Sequence, residues 1–411
     1  MSGTGEKSAV DRAGMPEAQD SDGIRDKAYE LCKEYLNGAW RTITRNQLVV
    51  RQVSGGLSNL LYYCALPEGQ LPVNNEPSKV LLRIYGQTHG EKVLEMKCVT
   101  ECVIFTLLSE SNRGPRLYGI FPGGRLEEYI PARPLTTEEL SDDDVSLLIA
   151  DAVAQIHSMQ VPISKEPRWL WDTIERWLRD MENHMRAGEI SPNKLALIED
   201  IINRDLKQEL RWLRNYLSSV HSPVVFCHND LQEGNILMKE NVSDNTNHLT
   251  VIDFEYCAYN YRGFDLANHF CESMYDYKNE NFPYFWARPE NYPSPEKQER
   301  FVRRYLSSLE GGNCSDEEVK KVLGEIRAYT LASHMFWGIW SVINSIISNI
   351  SFDYWRYGEA RFTAYFQHKS AILRDEETEL LLDDPLLTKT DTEDCLQLST
   401  SSRSSSLIET N

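Results

Sequence analysis

Apolar and polar positions alternate over residues 47–53, 59–64 and 80–85, the period of half-buried strands. A helical stretch at 28–36 precedes these runs and another at 92–109 follows, with more strand-like segments continuing to about 128. Beyond that point the period lengthens, and apolar residues recur at helical spacing over 142–159, 171–186, 195–217, 296–309 and 317–350. Between the third and fourth of these helices the pattern returns to short strands, at 224–226, 236–238 and 249–252, with a polar turn at 239–248. The pattern predicts an α+β chain in two lobes, a small β-rich one (25–130) and a larger, mostly helical one (131–375).

Both ends fall outside this periodicity. Residues 1–24 are polar with Gly and Pro, and 376–411 are acidic and then Ser-rich, so both are expected to be disordered tails. The Ser-rich run at 399–406 reads first as a solvated tail and second as a phosphorylation tract. The 411 residues are 41% hydrophobic and 26% charged, as in soluble globular proteins. Of the net charge of −19, residues 375–411 carry −8 and residues 1–24 carry −3, leaving a moderately acidic body. That balance disfavours nucleic acid or an anionic membrane as partner and suits a small cationic substrate. The nine cysteines contain no C-x-x-C pair, which argues against zinc. No signal peptide is visible at the start, and the most apolar stretch, 335–350, is too short and too polar to cross a bilayer. A cytoplasmic protein with no transmembrane segment is expected.

The chemistry lies in the loop between the short strands. In His228-Asn229-Asp230-Leu231-Gln232-Glu233-Gly234-Asn235, Asp230 and Asn235 are five apart, and Asp253 follows Asp230 by 23 residues. Phosphoryl transfer needs a carboxylate at the attacking hydroxyl and oxygen ligands for Mg2+. Kinases take these from an H-x-D-x-x-x-x-N loop and a following Asp. The alternative is a polar surface hairpin using Asp and Asn as turn residues.

A nucleotide site is expected in the first lobe. Ser54, Gly55, Gly56, Leu57, Ser58 and Asn59 join two strand-like runs. Paired glycines let backbone N–H groups approach phosphates, although a Gly-Gly hairpin turn would have the same composition. Arg83, on the third strand, is the expected phosphate-binding cation, where a protein kinase has Lys, and Glu101 on the next helix is its expected partner. Glu128 and Ile130 are expected to present backbone groups to adenine.

The loop, with Val251-Ile252-Asp253-Phe254-Glu255-Tyr256, Tyr259-Asn260-Tyr261-Arg262-Gly263-Phe264-Asp265 and Asn268-His269-Phe270-Cys271-Glu272, resembles the signatures of choline and ethanolamine kinases. The similarity runs from about residue 27 to 367 and includes Trp337-Gly338-Ile339-Trp340. It implies a bilobal protein-kinase-like fold, a homodimer, and ATP- and Mg2+-dependent phosphorylation of an amino-alcohol hydroxyl, the first step of phosphatidylcholine synthesis by the CDP-choline route. By this resemblance Asp230 takes or orients the hydroxyl proton, Asn235 and Asp253 hold Mg2+, and Gln232 is a supporting polar group. An ordinary ionised Asp suffices for a loose transition state.

Choline has no N–H to donate, so ring faces must hold it. Trp337 and Trp340 share a helix face. The resemblance adds Tyr256, Tyr277, Tyr284, Phe352, Tyr354 and Tyr357, with Glu272 as a carboxylate beside them; core packing of any one Tyr is the competing expectation. Tyr277 within Met274-Tyr275-Asp276-Tyr277 resembles the choline-type branch. The chain departs from the family at Leu266-Ala267 (usually Ile-Gly) and at Ser273 (usually Trp in choline kinases), and Ser273 adjoins Glu272. Asp253-Phe254-Glu255 lacks the Gly of D-F-G, as the family does. The expected function is a choline kinase that also accepts ethanolamine. The alternatives are an ethanolamine-preferring kinase, a non-catalytic partner subunit of such a kinase and, further off, an aminoglycoside-type phosphotransferase. A protein kinase is disfavoured, because no A-P-E segment follows Asp253.

Overall fold

The structure is a computed structural model, and it describes residues 21–53, 59–85, 91–188, 190, 206–240, 248–348 and 350–382. The chain divides into two compact units, residues 1–132 with 239–241 and residues 133–238 with 242–411.

The first unit is built on a five-stranded antiparallel sheet. Its strands are β1 (Val49–Val53), β2 (Asn59–Ala65), β3 (Lys79–Tyr85), β4 (Leu117–Phe121) and β5 (Gly124–Glu128), in the order β1-β2-β3-β5-β4. Helix α1 (Ser21–Tyr35) lays Ala28, Cys32 and Leu36 into one core with Trp40, Leu48, Val80, Leu82 and Leu126. The Trp40 indole donates to the Pro77 carbonyl at 2.6 Å, so the ring is buried without leaving its N–H unpaired. Helix α2 spans Glu91–Glu110. Two details differ from the sequence pattern. The helix expected at 28–36 begins earlier, at Ser21, inside the segment read as a tail. The strand expected from 47 begins at Val49, because Arg45–Gln47 form a 3-10 turn closed by a Thr44–Gln47 capping box.

The second unit is mostly helical: α3 (Val145–His157), α4 (Trp169–Ala187), α5 (Leu206–Ser219), α6 (Arg262–Glu272), α7 (Pro295–Glu310), α8 (Asp316–Ile347) and α9 (Tyr354–Leu382). Strands β6 (Val224–Cys227), β7 (Ile236–Lys239), β8 (Leu249–Val251) and β9 (Ala258–Tyr261) carry the candidate loop, with β6 paired to β9 and β7 to β8, both antiparallel. Residues 191–205, the first part of the helix expected at 195–217, lie outside the described residues. Helix α8 is the spine and packs against α4, α6, α7 and α9. A Ser315–Glu318 capping box starts it, and Ser294 with Pro295 starts α7. A Cβ at Gly338 would stand 2.9 Å from the Phe362 ring, so glycine there sets how closely α8 and α9 approach.

Two helices went unseen in the sequence pattern. Helix α6 is buried on every face from Gly263 to Glu272, which removes the polar stripe that marks a helix. Helix α9 carries the rings at 354 and 357 that were read as pocket residues, and it runs to Leu382, past the expected start of the acidic tail at 376.

Candidate active site

Strand β6 ends at Cys227, and the chain then turns at Asn229, whose φ of 68° lies in the left-handed region that Asn tolerates. The fully buried Asp265 of α6 holds this turn. Its Oδ2 accepts the His228 N–H at 2.8 Å and its Oδ1 accepts the Asn229 N–H at 2.7 Å. Behind it, His157 Nε2 lies 2.9 Å from Asp265 Oδ2, and His157 Nδ1 lies 2.8 Å from the Tyr305 hydroxyl. Asn229 is held further by its side chain, which donates to the Tyr256 carbonyl and accepts from Asn260, both at 2.9 Å. His157, Cys227 and Asp265 are close enough together to hold a metal ion. Each already has a hydrogen-bond partner, the Cys227 thiol donating to the Asn260 carbonyl at 3.5 Å, so the trio works as a positioning network.

Burial disfavours charge on Asp265. Even so, the His157 hydrogen bond, the two nearby imidazoles and the loop N–H groups hold its carboxyl below the ordinary carboxylate range. A folded-state value below the unfolded one contributes stability above about pH 4, and that contribution fades as the pH falls through the folded value. Asp265→Asn places an amide donor against backbone donors. It should cost about 1–3 kcal/mol at neutral pH and flatten the acid limb of the stability–pH curve, as read by chemical denaturation across that range.

Within the loop, Asn235 Nδ2 donates to Asp230 Oδ2 and to the Asp230 carbonyl, both at 2.9 Å. That turns the Asn235 carbonyl oxygen the other way. The Asn235 backbone carbonyl accepts the Ile252 N–H at 2.9 Å, tying the strand that delivers Asp253 to the loop. His228 Nδ1 accepts the Asp230 N–H at 3.2 Å, so its Nε2 carries the proton donated to the Ile252 carbonyl at 2.9 Å. Burial lowers the His228 pKa, which keeps this ring neutral. Asp253 has φ 63° and ψ 63°, a strained backbone for a non-glycine residue and common at functional positions. Gln232 Oε1 accepts the Gly234 N–H at 2.7 Å and so caps the turn Glu233–Asn235. The Asn235 amide oxygen and the Asp253 carboxylate are hard oxygen donors, the set that Mg2+ takes.

The Asp230 carboxyl is pushed well above the ordinary range, first by burial and then by the carboxylates of Glu272, Asp253 and Glu255, with the Asn235 amide pulling the other way. This is more perturbed than the ordinary aspartate expected from the sequence. Glu233, not singled out in the sequence, is buried, and burial with the nearby Glu272 raises its pKa to about 8.

Most of the rings expected around the cation come together. Trp337 and Trp340 lie 5.4 Å apart at 78°, and Tyr256 sits 5.6 Å from Trp337. Trp340 in turn meets Tyr354 at 5.5 Å and Tyr357 at 6.4 Å. Phe352 lies 4.9 Å from Tyr354 and 5.6 Å from Tyr357, and Tyr277 lies 5.9 Å from Tyr357. The two indoles are not equivalent. Trp337 is buried and donates to Asn268 at 2.7 Å, whereas Trp340 is partly open and donates to the Tyr256 hydroxyl at 3.2 Å. Tyr284 does not join the group, since its ring meets Phe282 at 6.4 Å on a turn where Tyr284 has φ 69°. Phe285 takes that place, 5.5 Å from Phe352 and 5.4 Å from Tyr357. Its neighbour at 284, also aromatic, gave the sequence no means of choosing between them. Ser273 is buried at the end of α6, 3.2 Å from the Ser141 hydroxyl.

In the first unit, Ser54, Gly55, Gly56, Leu57 and Ser58 lie outside the described residues, and Asn59 opens β2 opposite Tyr85. Arg83 and Arg125 face each other across β3 and β5, both buried. The guanidinium that Glu101 holds, at 2.6 Å, belongs to Arg125 and not to Arg83 as expected. Arg125 also pairs with Glu127 at 2.7 Å and lies 4.0 Å over the Phe105 ring, whereas Arg83 stands 3.6 Å from Glu127. Arg125 is the nearer partner because adjacent antiparallel strands set the two arginines side by side, a register that sequence spacing does not reveal. Glu128 ends β5 with its N–H on the Arg116 carbonyl and its side chain on the Arg116 N–H, at 2.8 and 3.1 Å, and Ile130 is half-buried two residues beyond.

The choline/ethanolamine kinase family profile matches residues 50–366. A human choline/ethanolamine kinase is 47% identical over 352 residues, covering 84% of this chain and 86% of that protein. Mouse choline kinase alpha is 43% identical over 368 residues, covering 84% and 81%. Among solved structures, choline kinase from Cryptosporidium parvum Iowa II superposes with a TM-score of 0.67 at 28% identity, covering 85% of this chain and 97% of that one. By these matches the chain belongs to the choline/ethanolamine kinase family.

Proposed function

We propose that the protein is an ATP-dependent choline kinase that forms phosphocholine from choline and accepts ethanolamine more slowly. The observation that carries the acceptor assignment is the contiguous ring group of Tyr256, Trp340, Phe352, Tyr354, Tyr357 and Tyr277, one polar edge of which is Glu272. Ring faces bind a quaternary ammonium well, whereas a primary ammonium asks for hydrogen-bond acceptors. Asp230 is the proposed group that orients the hydroxyl and takes its proton. Asn235 holds its carboxylate still, and Asp265 with His157 holds the loop backbone. Asn235 and Asp253 are the proposed Mg2+ ligands. Bound Mg2+ would neutralise phosphate charge and relieve the mutual repulsion of the carboxylates around Asp230.

Arg83 and Arg125 supply the positive charge of the proposed nucleotide lobe, residues 25–130, with the 54–59 segment, Glu128 and Ile130 as its other contacts. Residues 131–375 form the proposed catalytic and acceptor lobe. Among the described residues no helix is long and apolar enough to cross a membrane, and a cytoplasmic homodimer is part of the same proposal. Steady-state rates with choline and ethanolamine under magnesium-ATP test the reading. A higher kcat/KM for choline is expected, and a higher value for ethanolamine would overturn the preference.

A further inference from the structure

We propose that Arg361, on α9, is a positioning residue that sets the preference for the N-methylated acceptor by using up the acceptors of the cation site. The inference rests on the functional reading above and deepens it. Arg361 is wholly buried, and among the described residues Glu272 is its only carboxylate partner within ion-pair distance. Its Nη2 pairs with Glu272 Oε1. The other carboxylate oxygen, Oε2, accepts the Tyr277 hydroxyl at 2.8 Å. Arg361 Nε and Nη2 both donate to the Tyr357 hydroxyl, at 2.9 and 2.6 Å, and the two phenol oxygens lie 2.8 Å apart.

Donor accounting gives this ring a direction. Tyr277 spends its only proton on Glu272, so the proton between the phenols must come from Tyr357. The Tyr357 oxygen takes both guanidinium bonds on its lone pairs. Arg361 therefore closes a ring, donating to Tyr357 and to Glu272 while Tyr357 donates to Tyr277 and Tyr277 to Glu272, in which the Glu272 carboxylate is neutralised and both hydroxyls are committed. The guanidinium also lies 3.9 Å over the Tyr275 ring, so packing holds it from a third side. At this edge a ligand meets ring faces, a neutralised Glu272 and two phenols whose protons are already spent. A trimethylammonium group loses nothing by this, because it has no N–H; a primary ammonium must leave its donors unmet.

The experiment compares wild type, Arg361→Lys and Tyr357→Phe for kcat, KM for choline, KM for ethanolamine, KM for ATP and melting temperature. Lysine keeps the charge but cannot make the forked contacts, which frees the Tyr357 hydroxyl and loosens Glu272. In Arg361→Lys the ratio of kcat/KM for choline to that for ethanolamine should fall on the order of tenfold, mainly through KM. Tyr357→Phe, which removes the hydroxyl that anchors Arg361, should move the ratio the same way. A variant without turnover is read instead by tryptophan fluorescence titration with each amino alcohol, where the same change in relative affinity is expected. Equal losses for both substrates, in rate and in titration, would overturn the role and leave Arg361 a structural ion pair. Wild type acting on neither amino alcohol would instead overturn the functional reading itself.

Discussion

Asp230→Ala should lower kcat by roughly 10²–10⁴-fold, the range that a positioned acid or base contributes, while KM for ATP stays within about twofold. The structure makes this a clean test of the side chain. Asn235 Nδ2 bonds the Asp230 backbone carbonyl as well as its carboxylate, and alanine retains that carbonyl, so the proposed metal ligand remains anchored. The loop backbone is held by Asp265, which the change does not touch. Removing one carboxylate from a group that also includes Asp253, Glu255 and Glu272 relieves repulsion, so the variant should be no less stable than wild type. Steady-state kinetics with a nucleotide-binding titration check the prediction. A loss of ATP affinity matching the loss of turnover would contradict the role assigned to Asp230.

Trp340→Ala should raise KM for choline by about 30-fold, corresponding to the ~2 kcal/mol of a desolvated cation–π contact, with KM for ATP little changed. Trp340 is the indole left partly open, and its ring borders Trp337, Tyr354 and Tyr357. Trp337→Ala should behave differently. That indole is buried and donates to the Asn268 amide oxygen, which also accepts the Ser333 hydroxyl, so its loss leaves a cavity and one hydrogen bond fewer and should appear first as a lower melting temperature. Kinetic and thermal measurements on the two variants separate the roles. A Trp340→Ala effect confined to ATP would count against the cage.

Helices α4, α5 and α7 were legible in the sequence because each keeps a polar face, and α8 was legible by its length although it is buried throughout from Ala328 to Ile339. The five-residue spacing of Asp230 and Asn235 was legible because both lie in one loop, and the structure brings them into direct contact. What was hidden depends on register and burial. Glu101 meets Arg125 because β3 and β5 are antiparallel neighbours, although the two residues are 24 apart in sequence. Arg361 was not singled out in the sequence, and only the fold reveals that it is buried against Glu272, 89 residues away. A charged residue at an apolar-facing position of α9, four after Tyr357, was the available signal. Helix α6 gave no periodic signal because none of its faces meets water from Gly263 to Glu272.

Helix α6 also acts as a ruler. Asp265 at one end fixes the turn that carries Asp230, and Glu272 at the other end anchors the phenols of the ring group. Seven residues separate them, two turns of helix and about 10 Å of rise. Inserting or deleting one residue would turn Glu272 by about 100° relative to Asp265, so the spacing between the two anchors admits no gradual adjustment. Acceptors of different length would have to be accommodated by side chains outside α6, at Ser273 or along α9, and a variant library aimed at longer amino alcohols should leave 262–272 untouched.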